Sequence, residues 1–278
     1  MHFSWLFVHS LCMAFYIKIE ARGVSKAFGS TQALSDVSIT MEPGVIFGFV
    51  GANGAGKTTL MRIIMGVLLS DSGEILINGR PASQEQRRQI GYMPSERGLY
   101  AKMKVVEQLV FFAEIRGMKT PEARKSAMEW IERLDIAQYA EKKLETLSTG
   151  NQQRVQLAVA LTAKPRALIL DEPFSGLDPI AAKNMSDVIR EQAGKGLPIL
   201  FSSHQLELID QVSTEVAIIS HGKIIAIGAP AELRRAANAP ETIEIPTPLA
   251  NIFGDLIRED EADHDRDVAE HERRGKNA

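Results

Sequence analysis

Apolar and polar positions alternate along this chain in two rhythms, one of period two and one near 3.6, and their order predicts the architecture. Between Ile17 and Thr40 the rhythm is two: Ile17, Ile19 and Ala21 alternate with polar neighbours, and Val37-Ser-Ile-Thr repeats the pattern. Val45 to Val50 is a continuous apolar run, read as a buried strand, and Leu60 to Met65 has helical spacing. Strands are expected again at Glu74 to Asn78, before the turn signal Asn78-Gly79, and at Ile90 to Tyr92. From 101 to about 147 the period changes. Val106, Leu109, Val110 and Ala113 fall at helical spacing, and Thr120-Pro121-Glu122 offers a capping hydroxyl and a proline at the first helical position. Phe111 and Phe112 suit either a core or a docking surface.

After this stretch strands and helices alternate. A helix is expected from Gln152 to Ala163, a strand from Ala167 to Asp171, a helix from Asp178 to Ala193 and a strand from Pro198 to Ser203. Two short strands follow, Glu215 to Ser220 and Lys223 to Gly228. The alternation predicts an α/β protein whose mainly parallel sheet carries helices on its faces, with a mostly helical insert at about 101–163.

The two ends read differently. His2 to Tyr16 is apolar but lacks the basic segment and cleavage site of a signal peptide, and it is short for a membrane span. Met13 opens a sensible alternative start, so 1–16 is expected to be an extension of the folded part. Past Arg235 the composition turns to alanine, proline and charge, and 236–278 is expected to be a disordered tail. The ordered domain should run from 17 to 235.

The chemistry begins where the first buried strand stops. Gly51-Ala-Asn-Gly-Ala-Gly-Lys-Thr-Thr59 has the P-loop spacing G-x-x-x-x-G-K-[ST], with a strand before it and a helix after. Chance would supply the four fixed positions in roughly one chain of this length in a hundred, before the flanking elements are required. Gly51, Gly54 and Gly56 let the backbone of Asn53, Ala55 and their neighbours turn its N–H groups toward phosphate oxygens. The helix adds its positive N-terminal end. Lys57 reaches the outer phosphates in such a loop, Thr58 offers a hydroxyl to Mg²⁺, and Thr59 is expected to bind the nucleotide beside it.

Ala167-Leu-Ile-Leu-Asp171-Glu172 is a hydrophobic strand ending in two carboxylates. Beside a P-loop, Asp171 suits a Mg²⁺-holding role and Glu172 that of a base acting on water. Three further pieces surround it: Leu147-Ser-Thr-Gly-Asn-Gln-Gln-Arg154 upstream, Phe174-Ser-Gly-Leu-Asp178 after it, and Phe201-Ser-Ser-His204 at the next strand end. In this order and spacing they resemble the ATP-binding-cassette (ABC) ATPase family, over about 17 to 235. Leu147 to Asn151 resembles its signature motif, Ser175 to Asp178 its D-loop and His204 its switch histidine. Phe28 matches the aromatic that stacks on adenine.

The resemblance implies the ABC ATPase fold, with an N-terminal antiparallel β subdomain beside the parallel sheet and the helical subdomain as insert. It implies ATP and Mg²⁺ as ligands. It also implies two copies paired head to tail, so that Ser148 and Gly150 of one contact the γ-phosphate held by the P-loop of the other. His204 is expected near that phosphate and the attacking water. The chain departs from the family at Ser95, where a glutamine usually follows the Ile90–Tyr92 strand. Either a water or Glu96 is expected to fill that role. Thr149 and Asn151 also replace commoner residues, and the asparagine resembles bacterial exporters.

Composition narrows the class. A net charge of −3 shows no general nucleic-acid footprint, and a single cysteine, Cys12, excludes a disulfide framework or a multi-cysteine zinc site. The expectation is therefore an ATPase subunit at the cytoplasmic face of a bacterial membrane, serving separate integral membrane subunits and paired with a second ATPase subunit. A partner helix should dock beside Ser95 and the insert around Val105 to Ile115. The competing class is a soluble ABC ATPase acting on nucleic acid or the ribosome. A GTPase fits less well, since no guanine-reading Asn-Lys-x-Asp occurs.

Overall fold

The computed structural model describes residues 16–96 and 98–236. Nearly all of the expected extension and tail lies outside them. The first two strands, β1 (Ile19–Phe28) and β2 (Thr31–Met41), form an antiparallel pair with its turn at Gly29. With β4 (Ser72–Ile77) and β5 (Arg80–Pro81) they make a four-stranded sheet of order β2-β1-β4-β5.

The second sheet organises the molecule. Its strands are β3 (Ile46–Val50), β6 (Ile90–Met93), β7 (Ala167–Leu170), β8 (Ile199–Ser203), β9 (Glu215–Ser220) and β10 (Lys223–Gly228), in the order β10-β9-β3-β8-β7-β6. All neighbours run parallel except β9 and β10. Parallel strands need cover on both faces, and β3, β7 and β8 are buried throughout. Ile46 and Val50 face one core, with Leu168, Phe201 and the helices of the insert. Phe47 and Phe49 face another, shared with the antiparallel sheet and α1 (Lys57–Ile64).

The helices follow in order. After α1 come the short α2 (Gln84–Arg87) and then α3 (Val105–Ile115) and α4 (Thr120–Arg133) of the insert. α5 (Thr149–Thr162), α6 (Pro179–Gly194), α7 (Leu206–Val212) and α8 (Pro230–Ala236) complete the set. The short helices α2, α7 and α8 have no counterpart in the periodicity. A four-residue or seven-residue helix carries one or two turns, too few for a 3.6 repeat to stand out. The helix expected from Gln152 begins at Thr149, because the hydroxyl of Ser148 caps it by accepting from the Asn151 N–H at 3.4 Å. Phe111 and Phe112 are both half-buried. They pack on each other and on the exposed Tyr100, with ring centroids 5.4–6.0 Å apart.

Candidate functional site

Sheet order decides where the chemistry gathers. β3, β8 and β7 are consecutive and parallel, so their C-terminal ends open along one edge and deliver Gly51, His204 and Asp171 side by side. Edges of this kind are where α/β sheets bind ligands.

The loop after β3 needs its glycines for different reasons. A Cβ on Gly51 would lie 2.4 Å from the Ile219 carbonyl oxygen, and one on Gly56 would lie 2.5 Å from that of Ala33. Both are therefore held by lack of space. Gly54 is exposed, and a Cβ there would meet nothing within 4 Å. Its φ of 84° is what calls for glycine, since the left-handed turn at the tip of the loop disfavours any side chain. Asn53 is exposed beside it, while Ala55 is buried and closes the turn by donating its N–H to the Ala52 carbonyl at 3.2 Å. The Ala55 amide thus bonds within the loop.

Gly56 sits at φ 110° as the N-cap of α1, which has no side-chain cap and no acidic residue in its first turn. The free N–H groups at this helix start, over Lys57 to Thr59, make a ready anion site. Lys57, buried to 7% exposure, donates from Nζ to the carbonyls of Gly51 (2.6 Å) and Ala52 (3.0 Å). Burial lowers its pKa, while the nearby charges of Glu172 and Asp171 work against that shift.

Asp171 is 1% exposed and held from both sides. Thr58 Oγ1 donates to its Oδ2 at 2.7 Å, and Ser202 Oγ donates to its Oδ1 at 2.7 Å. Ser202 reaches it because Leu170 pairs with Phe201, which sets the next residues opposite each other. Glu172 adopts φ 54°, a left-handed conformation that costs a non-glycine residue of order 1–2 kcal/mol. That backbone turns its side chain toward β8, where Oε2 lies 2.8 Å from His204 Nδ1. Its N–H donates to Ser202 Oγ at 2.9 Å, and its carbonyl accepts from Gln153 Nε2 at 3.0 Å. Ser202 and Gln153 are the residues that sequence reasoning missed. A serine inside a strand and a glutamine inside a helix carry no motif of their own.

Thr58 and Asp171 are a hydroxyl and a carboxylate, hard oxygen donors of the kind Mg²⁺ accepts beside nucleotide phosphates. Among the described residues no group of three His, Cys, Asp or Glu side chains is assembled to hold a metal alone. The donor set therefore fits an ion that arrives with a triphosphate.

Other expected site residues lie outward. Phe28 ends β1 with half its surface exposed, and Lys26 Nζ stands 5.7 Å from its ring centroid. Ser148 is exposed and Gly150 half-buried at the start of α5, against the turn that follows Glu172. Ser95 is exposed. The neighbouring Glu96 carboxylate accepts from Arg62 Nη2 at 2.8 Å rather than turning toward Asp171.

A cleft of about 540 Å³ lies between the end of α1, α2 and the end of α3, lined by Leu69, Arg87, Arg88, Ile115 and Arg116 among others. It reaches the insert at Ile115, and Ser95 is not among the residues that line it. Among the described residues, Arg116 Nη1 is buried there without a hydrogen-bond partner.

The family profile described as ABC transporter matches residues 34–175. An uncharacterized ABC transporter ATP-binding protein of Bacillus subtilis (strain 168), YhaQ, is 43% identical over 213 residues, covering 77% of this chain and 72% of that protein. The lipopolysaccharide export system ATP-binding protein LptB of Haemophilus influenzae is 35% identical, over 77% of this chain and 92% of that protein. A solved structure of an ATP-binding subunit of an ABC transporter superposes with a TM-score of 0.77 at 27% identity, covering 86% of this chain and 98% of that one.

Proposed function

The chain belongs to the ABC transporter family as an ATP-binding, ATP-hydrolysing subunit, and from that premise we propose that it drives export through separate membrane subunits as one half of a closing ATPase pair. The observation that carries the reading is the split between two sets of groups. The P-loop, Asp171, Glu172 and His204 converge on one sheet edge, while Ser148 and Gly150 present an acid-free helix start on the surface. Each set is half of what a γ-phosphate needs. A second copy, turned head to tail, brings the halves together.

Within that pair, the P-loop amides and Lys57 take the phosphates, and Phe28 offers its exposed ring to the adenine. Thr58 and Asp171 would hold a Mg²⁺ ion, which when bound would neutralise charge on the phosphates. Glu172 accepts a proton from the attacking water, and His204 orients the carboxylate and stands next to the γ-phosphate. Ser148 and Gly150 of the partner copy aim their helix end at that phosphate. ATP closes the pair, and hydrolysis followed by phosphate release opens it.

Export is supported by the relative LptB, which belongs to a lipopolysaccharide export system, and by the asparagine at 151. The cleft at Ile115 and Arg116 is proposed as the dock for a cytoplasmic helix of a membrane subunit. Among the described residues no helix is long and apolar enough to cross a membrane, which supports placing the spans on other chains. A tagged chain purified from its native host tests the reading. Recovery with membranes, in a detergent-stable complex holding paired ATPase subunits and a polytopic protein, is the expected result. Exclusive recovery with ribosomes or nucleic acid overturns it.

A further inference from the structure

Glu172 is held in its left-handed conformation by hydrogen bonds to its own main chain. Its N–H donates to Ser202, and its carbonyl accepts from Ser175 N–H at 3.2 Å and Gln153 Nε2 at 3.0 Å. Ser202 belongs to the adjacent strand and Ser175 to the same turn. Gln153 comes from outside the sheet. It is on α5, one turn beyond Gly150, on the helix whose start is assigned above to the partner's ATP. The same helix start packs against the turn after Glu172, since a Cβ on Gly176 would come 3.1 Å from Thr149 Cγ2.

We propose that Gln153 is a positioning residue, a strap through which the helix that engages the partner's ATP sets the aim of Glu172 at this chain's own ATP. The idea rests on the reading of Ser148 and Gly150 given above. One rigid helix then touches two sites: its N-terminus meets the γ-phosphate across the interface, and the Gln153 amide grips the carbonyl of the residue that acts on water here. A shift of α5 on closure is passed to the Glu172 carbonyl through the Gln153 bond, while Ser202 pins the N–H side of the same residue. Each site is thereby informed that the other has closed. A carboxylate displaced by a fraction of an ångström loses much of its efficiency, so the bond should be felt in turnover rather than in binding.

Gln153→Met keeps the side-chain length and removes the donor. In the full-length protein its ATPase kcat should fall about tenfold with the KM for ATP within about twofold. The Hill coefficient for ATP should drop from about two toward one. A purely structural loss would lower the melting temperature and leave cooperativity in the surviving enzyme unchanged. The double variant Glu172→Gln/Gln153→Met should pair on ATP as readily as Glu172→Gln alone, because the strap acts after closure. Unchanged kcat and Hill coefficient in Gln153→Met overturn the strap, as does a raised KM with kcat intact. Failure of Glu172→Gln alone to pair on ATP overturns the two-copy reading, and the strap with it.

Discussion

Thr58 Oγ1 donates a 2.7 Å hydrogen bond to Asp171 Oδ2, joining the first turn of α1 to the end of a strand 113 residues further on. The bond places a hydroxyl and a carboxylate on one spot, and Ser202 takes the other carboxylate oxygen. If that spot holds Mg²⁺, Asp171→Asn should raise the Mg²⁺ concentration needed for half-maximal turnover about tenfold or more. Binding of a fluorescent ATP analogue in EDTA should change far less. Equal losses with and without Mg²⁺ would remove the metal role.

Glu172 and His204 meet across β7 and β8 at 2.8 Å. Glu172→Gln should lower ATP turnover about 10²–10⁴-fold while leaving nucleotide binding intact. Size-exclusion chromatography with ATP should then show a stable dimer that ADP does not support. Undiminished turnover by this variant would end the assignment of Glu172 as base.

Gly91 lies where β6 and α5 approach closely, and a Cβ there would come 2.5 Å from the Ala160 carbonyl oxygen. That carbonyl is backbone and cannot swing aside, and Leu168 Cδ1 would be only 2.8 Å away. Gly91→Ala should cost about 1–3 kcal/mol in urea unfolding, with an unchanged slope. A neutral result would mean that α5 slides freely on the sheet.

Arg116 carries a buried nitrogen without a partner among the described residues, and burial lowers its pKa. Removing an uncompensated buried charge tends to be neutral or stabilising for the isolated chain. Arg116→Met should therefore keep or raise the melting temperature while weakening recovery of the membrane complex. Lower stability with an unaffected complex would separate the cleft from docking.

Glu191 links α6 to the insert. Hydrogen bonds from Lys195 first, and then Arg133, hold its carboxyl below the ordinary value of 4.5. A carboxylate depressed on folding adds stability that is complete above its ordinary pKa and is lost as pH falls through the folded value. Glu191→Gln should therefore melt slightly below the unmodified chain above about pH 5, with the gap closing as pH falls below the ordinary carboxylate range. The pair is partly exposed, so added salt should shrink the gap.

Much of this protein was legible in residue order. The loop Gly51–Thr59, the pair Asp171-Glu172, Ser148-Thr-Gly150 and His204 each show as a motif within a few consecutive positions. The buried strands showed as apolar runs, and the insert showed as a change of period. Such signals are local because a phosphate cradle or a buried strand is built from neighbours in the chain. What the order could not reveal is alignment between distant segments. Gly54 shows its left-handed turn in its own identity, but the crowding that reserves Gly51 and Gly56 comes from Ile219 and Ala33, far off in the chain. Ser202 faces Asp171 because β7 and β8 run parallel in one register, and Gln153 reaches Glu172 because α5 packs beside that turn. Glu96 turns to Arg62, and Glu172 takes a left-handed backbone that its own identity disfavours. These follow from sheet order and packing, which depend on the whole chain at once, and they decide how the legible residues are aimed.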